Sequence, residues 1–376
     1  MRRPRATIAL PVNARLEQFR TQPPREVCIL RLSAIGDTCH TLPVLRTLQR
    51  AWPQTRFTWV IGKAEAALMS GIDGVELVVL EKSGRAAGFA DLRRWLAGRR
   101  FELLLMMHAS LRANLTSLMI RAGVRLGFDR GRARDYQHLF SSARIAARER
   151  EHVMDGLFGF AEALGIGERL LRWDIPVSDA DRAFASRHIP PGGRTLLISP
   201  CSSQRFRNYR NWRVENYAAL AAHAARAHGA RVILTGGPTA LEAQYAEGIC
   251  RRAGTSAPVN LVGRTTLKQL LALLDAADVL VCPDSGPAHM ATAVGTPVIG
   301  LYATSNRFRT GPYLSQRWVV DHYPEAVRRE FGTGVDQLPW GVRVRDPDAM
   351  DLIQVEEVTA RLDEYFASSS TAEVRA

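Results

Sequence analysis

Short apolar runs alternate with amphipathic stretches along most of this chain. Runs such as 27–32, 57–61 and 101–107 consist mainly of large or β-branched apolar residues and are typical of strands buried in a parallel sheet. Between such runs, stretches like 152–164 place apolar residues at helical spacing. This alternation predicts an α/β fold in which helices cover parallel sheets. The other predicted strands are 75–80, 124–128, 195–199, 231–235, 259–262, 279–282 and 298–302, and the other predicted helices are 89–96, 111–121, 214–228, 239–252, 267–276 and 355–366.

A stretch rich in proline and glycine interrupts this alternation near the middle of the chain. Residues 176–193 contain three prolines and two glycines and are interpreted as a linker. A chain of 376 residues is long enough for two cores, so the linker predicts two domains. The polar, arginine-rich stretch 129–150 is interpreted as a loop. The predicted divisions are an N-terminal extension at 1–25, an α/β domain at 26–175, the linker at 176–193, a second α/β domain at 194–352, and a C-terminal helix and tail at 353–376.

The charged residues of this chain are dominated by arginine. The formal net charge is +13, and lysine occurs only at Lys63, Lys82 and Lys268. A GC-rich genome explains such a bias, whereas an arginine-rich face would also bind phosphate groups or an anionic membrane surface. The sequence contains no zinc-finger, RRM or helix-turn-helix pattern, so nucleic acid is not expected as a partner.

Cysteine usage and hydropathy bear on the compartment. The five cysteines are scattered without a CxxC pair, which predicts free buried thiols rather than disulfides or a zinc site. No apolar run approaches the roughly 20 residues that a membrane-spanning helix needs. The N-terminal apolar patch 8–12 is too short for a signal sequence. We therefore expect a cytosolic location.

The segment 281–302 carries the strongest chemical signal. An apolar strand ends at Cys282, the turn 283–287 opens a helix of small residues, and a second apolar strand follows Pro297. A helix that starts with Asp, Ser, Gly and Pro leaves backbone N–H groups free at its positive end, which is a seat for a phosphate or diphosphate. The sequence matches neither the P-loop nor the GxGxxG pattern here, so the common nucleotide motifs do not explain this segment.

Two sets of residues resemble the signatures of a known family. The C-terminal set is Asp284, Ser285, Gly286, His289, Met290, Ala291, Gly295, Pro297, Leu301, Tyr302, Thr304 and Ser305, and the N-terminal set is Ser33, Gly36, Asp37, Thr41 and Pro43. In residue type and spacing both sets resemble the motifs of glycosyltransferase family 9, the heptosyltransferases. The resemblance implies the GT-B architecture, with two Rossmann-like α/β domains facing each other across a cleft, the first on the acceptor side and the second binding the donor.

The resemblance gives Asp37 a catalytic role. Sequence chemistry alone favours an ordinary helix N-cap at Asp37, after a tight turn at Gly36. In the family, the aspartate of this motif is the proposed general base, which implies that role for Asp37. Transfer of a sugar to an alcohol requires such a group, because a proton must leave the attacking hydroxyl as the new bond forms.

The donor site is expected in the second domain. Segment 200–212 resembles the family's phosphate-contacting loop, with Ser202, Ser203 and Arg210 as candidate ligands. Arg205 and Arg207 compete with Arg210 for the cationic role, and a solvated basic loop is the alternative for the whole segment. Cationic groups there would stabilise the negative charge that develops on the departing nucleotide diphosphate.

Further donor contacts are implied at two helix starts. Glu242 would accept hydrogen bonds from the ribose hydroxyls, although a first-turn helix glutamate is an equal alternative. Asp284, Ser285 and Gly286 would bind the diphosphate, with His289 beside them. The alternatives are that Asp284 is an N-cap and that His289 is a packed helix histidine.

The acceptor site is expected in the first domain. Ser110, Arg112 and Asn114 follow a buried strand and would lie at its carboxyl end. The loop residues Arg130, Arg132 and Arg134 would bind phosphates or acidic sugars of the acceptor. A solvated surface loop explains these three arginines nearly as well.

Taken with the resemblance, these residues imply an inverting, metal-independent transferase that moves a heptose from ADP-heptose to the lipopolysaccharide inner core, without a cofactor. The DxD spelling at 179–181 lies in the predicted linker and is discounted as a metal site. The implied partners are an ADP-sugar, an anionic glycolipid and, peripherally, the cytoplasmic face of the inner membrane. Three alternatives stay open: another sugar nucleotide or acceptor, a GT-B-shaped sugar-nucleotide epimerase, and a non-catalytic nucleotide-binding protein.

Overall fold

The computed structural model describes residues 12–81, 85–202 and 207–373, and the chain divides into two compact units. The first unit runs to Arg148 and also contains Met154–Trp173, whereas the second contains Glu149–Val153 and the chain from Asp174 onwards. Each unit is built on one six-stranded sheet whose neighbouring strands all run parallel. The prediction of two Rossmann-like α/β domains is therefore confirmed.

In the first unit, the strand order is β3-β2-β1-β4-β5-β6. The strands are β1 (Glu26–Leu30), β2 (Arg56–Gly62), β3 (Val75–Leu80), β4 (Phe101–Leu105), β5 (Ala122–Gly127) and β6 (Ala143–Arg144). The helices are α1 (Val12–Thr21), α2 (Ile35–Ala51), α3 (Lys63–Met69), α4 (Arg85–Leu96), α5 (Leu111–Ser117) and α6 (Val153–Ala163). The order reverses between β1 and β4, and ligands of open α/β sheets bind outside the carboxyl ends of strands at such a point.

In the second unit, the strand order is β12-β11-β10-β7-β8-β9, and it reverses between β7 and β10. The strands are β7 (Thr195–Ile198), β8 (Arg231–Leu234), β9 (Val259–Asn260), β10 (Val279–Pro283), β11 (Val298–Tyr302) and β12 (Val320–Asp321). The helices are α7 (Asp179–His188), α8 (Val214–His228), α9 (Ala240–Ala253), α10 (Leu267–Ala276), α11 (Gly286–Ala293), α12 (Arg307–Thr310), α13 (Tyr323–Phe331) and α14 (Val355–Glu373).

The core of the second unit fixes the loop that precedes α8. The ring of Trp212 is fully buried and packs edge-on against Tyr217, with ring centroids 5.2 Å apart. Its indole N–H donates a 2.9 Å hydrogen bond to the carbonyl of Ile353, which lies just before α14. Aromatic pairs of this kind add to the hydrophobic energy of burial. Arg210, two residues before this anchor, therefore has a well-defined backbone position.

The structure differs from the sequence expectations in several connecting segments. The proline- and glycine-rich stretch 176–193 holds α7, which packs on α10 and so belongs to the second unit. The stretch 129–150, interpreted as a loop, contributes β6 and a turn of 3-10 helix at Gln137–Leu139. The described part of the predicted N-terminal extension forms α1, and the Phe19 side chain of this helix is buried. None of the helices within the described ranges has the length and apolar character needed to cross a membrane.

All five cysteines are free thiols, as the sequence predicts. Burial raises the pKa of Cys39, Cys201 and Cys282 to about 12. Since the thiolate is the reactive form, these side chains act as small apolar groups in the core.

Candidate active site

Asp37 lies at the start of α2, directly after β1. Its Oδ2 atom accepts a hydrogen bond of 3.2 Å from the backbone N–H of Ala34, which is the N-cap residue of the helix. The same oxygen lies 2.5 Å from Nη2 of Arg31, whose side chain is 10% exposed, against 32% for Asp37. The carboxylate thus reaches back to the helix start without being the N-cap itself, and about a third of its side chain stays accessible to an incoming hydroxyl.

Three residues after β4 that the sequence assigns to acceptor binding have different surroundings. Ser110 caps α5, since its Oγ accepts from the N–H of Ala113 at 3.3 Å. The guanidinium of Arg112 donates to the carbonyls of Leu80 and Glu81, both at 3.1 Å. Asn114 is fully buried and donates a 2.7 Å hydrogen bond to the Asp135 carbonyl, so it orders the neighbouring loop. Acceptor contact by these three residues stays a prediction.

The three loop arginines also separate into two kinds. Arg132 forms an ion pair with the buried Asp129 and donates to the carbonyl of Ala146 at 2.9 Å. The side chains of Arg130 and Arg134 are exposed and form no ion pair with any residue that the structure describes. Arg130 lines an open depression of about 660 Å³, together with Ala133, Asp135, Tyr136 and His138. Arg130 and Arg134 are therefore available to an anion, whereas Arg132 holds the loop.

In the second unit, Asp284 organises the carboxyl end of β10. Arg210 donates from Nη1 to the Asp284 carbonyl at 2.8 Å, and the same nitrogen lies 3.1 Å from Oδ2 of the carboxylate. Ser305 donates to that oxygen at 2.8 Å and Thr310 at 3.4 Å. Since the Asp284 side chain is only 7% exposed, it holds Arg210 in position.

The helix that follows, α11, starts at Gly286, and Ser285 is its N-cap residue. The alternative in which Asp284 is the N-cap residue is therefore wrong. The N–H of Gly286 lies at the positive end of the helix, where an anion is stabilised, whereas Pro287 has no N–H and Ala288 donates to the Ser285 carbonyl at 3.2 Å. His289 is buried within α11, so the packed-histidine alternative agrees with its position, and a contact with the donor stays a prediction.

The loop after β7 is ordered by asparagines. The N–H and Oγ of Ser202 donate to Oδ1 of Asn211 at 2.8 and 3.2 Å, and Asn208 donates to the Ser202 hydroxyl at 2.9 Å. Ser202 is buried. Two other residues that the sequence assigns to this loop, Ser203 and Arg205, lie outside the described residues.

Glu242 occupies the first turn of α9 and closes a local network. Its Oε1 accepts from the N–H of Gly237 at 2.7 Å, and its Oε2 accepts from the hydroxyl of Thr239 at 2.6 Å. Thr239 is the N-cap residue of α9. Both roles weighed from the sequence remain compatible with this geometry, because each carboxylate oxygen has a further lone pair for a ribose hydroxyl.

Sequence reasoning missed Arg343, which interacts electrostatically with Asp284 and with other arginines. Burial and the positive charges of Arg210, Arg309 and Arg345 together lower the pKa of Arg343 to about 10. The negative charge of Asp284 acts in the opposite direction. The half-buried guanidinium of Arg343 forms no hydrogen bond or ion pair with the described part of the chain. The signal in the sequence is the alternation of valine and arginine at 342–345, in which Val344 is buried. The charges of three other arginines and of Asp284 thus act on Arg343.

One group of side chains in the described ranges has the geometry to hold a metal ion, and the sequence did not indicate it. The Nε2 atoms of His223 and His228 lie 2.7 and 2.5 Å from Oδ1 of Asp363. Nη1 of Arg194, which can only donate, lies 3.5 Å from Nδ1 of His228. That contact favours the tautomer in which Nε2 carries the proton and donates to Asp363, a hydrogen-bonded pair that needs no ion.

The chain is similar in sequence to proteins of known family. The family model for glycosyltransferase family 9 (heptosyltransferase) matches residues 89–333. The lipopolysaccharide core heptosyltransferase OpsX of Haemophilus influenzae is 40% identical over 342 residues, which cover 91% of this chain and 97% of OpsX.

Solved structures show the same fold. The glycosyltransferase family 9 protein of Veillonella parvula aligns with a TM-score of 0.74 at 20% identity, covering 92% of this chain and 97% of that protein. The Escherichia coli heptosyltransferase WaaC with ADP-2-deoxy-2-fluoro heptose aligns with a TM-score of 0.64 at 20% identity, covering 90% of this chain and 99% of WaaC.

Proposed function

This chain belongs to glycosyltransferase family 9, the heptosyltransferases, and we propose that it transfers a heptose from ADP-heptose to the inner core of lipopolysaccharide. The acceptor part of the proposal is supported by OpsX, whose name describes a lipopolysaccharide core heptosyltransferase. The donor part is supported by the WaaC structure, which contains an ADP-heptose analogue. A cytosolic location is part of the same proposal.

The observation that carries the donor site is the position of Arg210. Asp284 holds this guanidinium at the carboxyl end of β10 and is two residues before Gly286, whose N–H is the first of α11. A fixed cation and oriented N–H groups are the two devices that proteins use for phosphate groups. The diphosphate of the donor would bind there, with Ser202, Ser203, Ser285 and Gly286 around it and Glu242 at the ribose.

Arg343 adds a second cation to this site. Its guanidinium is half-buried, and burial together with the charges of Arg210, Arg309 and Arg345 lowers its pKa. A bound diphosphate would supply negative charge beside it. As ADP departs, the same cations would stabilise the charge that develops on its terminal phosphate, which is the role that a metal ion plays in other transferases.

Asp37 would act as the general base on the acceptor side. It takes the proton from the acceptor hydroxyl as that oxygen bonds to the anomeric carbon of the heptose. The bond from this carbon to the ADP oxygen breaks at the same time, and its electron pair leaves with ADP. Attack on the face opposite ADP inverts the anomeric carbon. Arg31 orients the carboxylate, and Arg130 and Arg134 would bind anionic groups of the acceptor.

The test is transfer with purified protein, ADP-heptose and lipopolysaccharide that lacks heptose. Release of ADP should depend on the acceptor, and mass spectrometry should show one added heptose. Transfer only from another sugar nucleotide would replace the donor in this proposal. Conversion of the sugar nucleotide without any acceptor would instead identify an epimerase. In cells, deletion of the gene should remove a heptose from the core oligosaccharide.

A further inference from the structure

Helix α5 exposes large apolar side chains and buries small or polar ones, which is the reverse of a helix that covers a core. Its buried side chains are the small or polar ones of Ala113, Asn114, Thr116 and Ser117. Its outward positions carry Leu111, Leu115 and Leu118, which are 55%, 47% and 60% exposed. Positions i, i+4 and i+7 lie on one helix face. An amphipathic helix normally buries such a leucine face, so this face is suited to an apolar surrounding outside the unit.

A neighbouring loop extends this apolar surface. Tyr136 and Leu139 are 70% and 72% exposed, the two highest values among the exposed large apolar side chains that the structure describes. Asp135 ties the loop to α5, because its carboxylate accepts from the N–H of Leu111 at 2.8 Å and its carbonyl accepts from Asn114 at 2.7 Å. We call the five exposed side chains the α5 patch: Leu111, Leu115, Leu118, Tyr136 and Leu139.

The surroundings of the α5 patch are strongly basic. Residues 110–146 contain seven arginines and two aspartates, and no lysine or glutamate. Arg121, Arg130 and Arg134 are exposed. One of the two aspartates, Asp129, is paired with Arg132, so it does not offset these exposed charges. Exposed leucines with a tyrosine, bordered by arginines, have the composition of surfaces that lie in the headgroup region of a bilayer.

We propose that the α5 patch docks the first unit on an anionic phospholipid bilayer. The leucines insert among the upper parts of the acyl chains, Tyr136 lies at the headgroup level, and the arginines contact lipid phosphates. The occupant is a bilayer rather than a second copy of this chain, because the chain carries a net charge of +13 and two identical basic patches would repel each other. The inference deepens the proposed function, since it places the enzyme at the surface that holds a glycolipid acceptor.

The experiment compares two matched double variants. Leu115→Ser with Leu118→Ser alters the α5 patch, whereas Leu171→Ser with Leu314→Ser alters leucines of similar exposure, 44% and 55%, outside it. Binding is measured by sedimentation with vesicles of phosphatidylcholine containing phosphatidylglycerol, and with pure phosphatidylcholine. We expect the wild type to bind the anionic vesicles, and less so at high salt. The α5 variant should bind at least about tenfold more weakly, and the control should match the wild type.

Three outcomes would overturn the inference: no binding of the wild type to anionic vesicles, equal loss in both variants, or a concentration-dependent dimer that only the α5 variant loses. Thermal unfolding shows whether both variants are folded, as expected for exposed positions. Transfer to a deacylated, soluble acceptor tests the proposed function separately. The α5 variant should keep that activity and lose transfer to acceptor embedded in vesicles. Failure of transfer in every variant would reject the proposed function and leave the vesicle result standing.

Discussion

Arg31 fixes Asp37 with respect to both strands at the point where the first sheet reverses its order. One guanidinium nitrogen of Arg31, Nη2, lies 2.5 Å from the carboxylate, and Nη1 donates to the carbonyl of Met107, just beyond β4. Arg31 itself follows β1, so it bridges the carboxyl ends of the two strands. A carboxylate held in this way would lose little freedom when a substrate binds, which would suit the proposed role of Asp37 as the base.

The first prediction concerns this base. Asp37→Asn keeps the size of the side chain and an oxygen for the Ala34 N–H, but it removes the carboxylate. We expect kcat to fall about 10²- to 10⁴-fold, while the Kd for ADP stays within about twofold. A coupled assay of ADP release and calorimetry provide the two values. Asp91→Asn, at an exposed position of α4, is the control and should be unaltered. Wild-type turnover in Asp37→Asn would exclude Asp37 as the base.

The second prediction concerns Arg343. Arg343→Gln removes a cation that forms no ion pair with the described part of the chain and lies among other arginines, so the unliganded protein should keep its stability or gain some. The Kd for ADP should rise about 10- to 100-fold, as expected for loss of charge-assisted hydrogen bonds, whereas affinity for adenosine should hardly change. Arg251→Gln, exposed at the end of α9, is the control. An unchanged Kd for ADP would place the diphosphate away from Arg343.

Most of the fold could be predicted because strands that are buried in a parallel sheet occur in the sequence as continuous runs of apolar residues. The run 298–302 matches β11 residue for residue, since every side chain in it is buried. Strands β6 and β12 were missed because each has two residues and depends on the edge of a neighbouring strand rather than on its own composition. Helix α7 was not separated from the linker, because Pro176 precedes it and two prolines and two glycines follow it.

The site could be predicted only in part. Motif residues such as Asp37 and Asp284 are found where the sequence places them, at the carboxyl ends of β1 and β10. Charged neighbours outside the motifs were not predicted: Arg343 lies 59 residues beyond Asp284, and nothing in the local pattern connects the two. Which residues become neighbours there depends on how separate strands end at the same edge of the sheet. A single sequence does not show this.

The third prediction separates the loop arginines. Arg130→Gln with Arg134→Gln removes two exposed cations that form no ion pair within the described ranges, so we expect a higher KM for the acceptor and an unaltered KM for the donor. Folding should be unaffected, because surface substitutions cost under about 0.5 kcal/mol. Initial rates at low and high salt measure both constants. Unchanged acceptor kinetics at low salt would show that the pair does not bind the acceptor.

Arg132→Gln is the matched contrast within the same loop. Its guanidinium pairs with the buried Asp129, so the substitution leaves a carboxylate without its cation. We expect a loss of about 1–3 kcal/mol in the free energy of unfolding, visible in a urea titration. If Arg132→Gln were as stable as the wild type, the structural role given to Arg132 would be wrong.

The fourth prediction concerns pH and the start of α14. Nε2 of His322 lies 2.9 Å from Oε1 of Glu357, and Nδ1 lies 3.1 Å from Oε2 of Glu325. Burial lowers the pKa of His322, but the hydrogen bonds and charges of these two glutamates outweigh burial and raise it above 6.5. Burial raises the pKa of Glu357, yet the Gln354 N–H and His322 together lower it below 4.5.

The signs of these shifts define a pH window. The contribution of His322 is complete below about pH 6.5 and is lost as pH rises through its folded-state pKa. The contribution of Glu357 is present above about pH 4.5 and is lost as pH falls through its own lowered pKa. The His322–Glu357 pair should therefore stabilise the second unit most at about pH 5–6.5. Because the Glu357 side chain is 42% exposed, the coupling should be modest, about 0.5–1 kcal/mol.

A double-mutant cycle measures this coupling without the other titrating groups. His322→Gln, Glu357→Gln and the double variant are unfolded with urea at pH 6 and at pH 8.5, and the coupling energy is taken at each pH. We expect a coupling of about 0.5–1 kcal/mol at pH 6 and a smaller one at pH 8.5, where His322 loses its charge. The contacts of His223 and His228 with Asp363 are unaltered in all variants and cancel in the cycle. Equal coupling at the two pH values would mean that a neutral hydrogen bond, rather than the charge on His322, holds the start of α14.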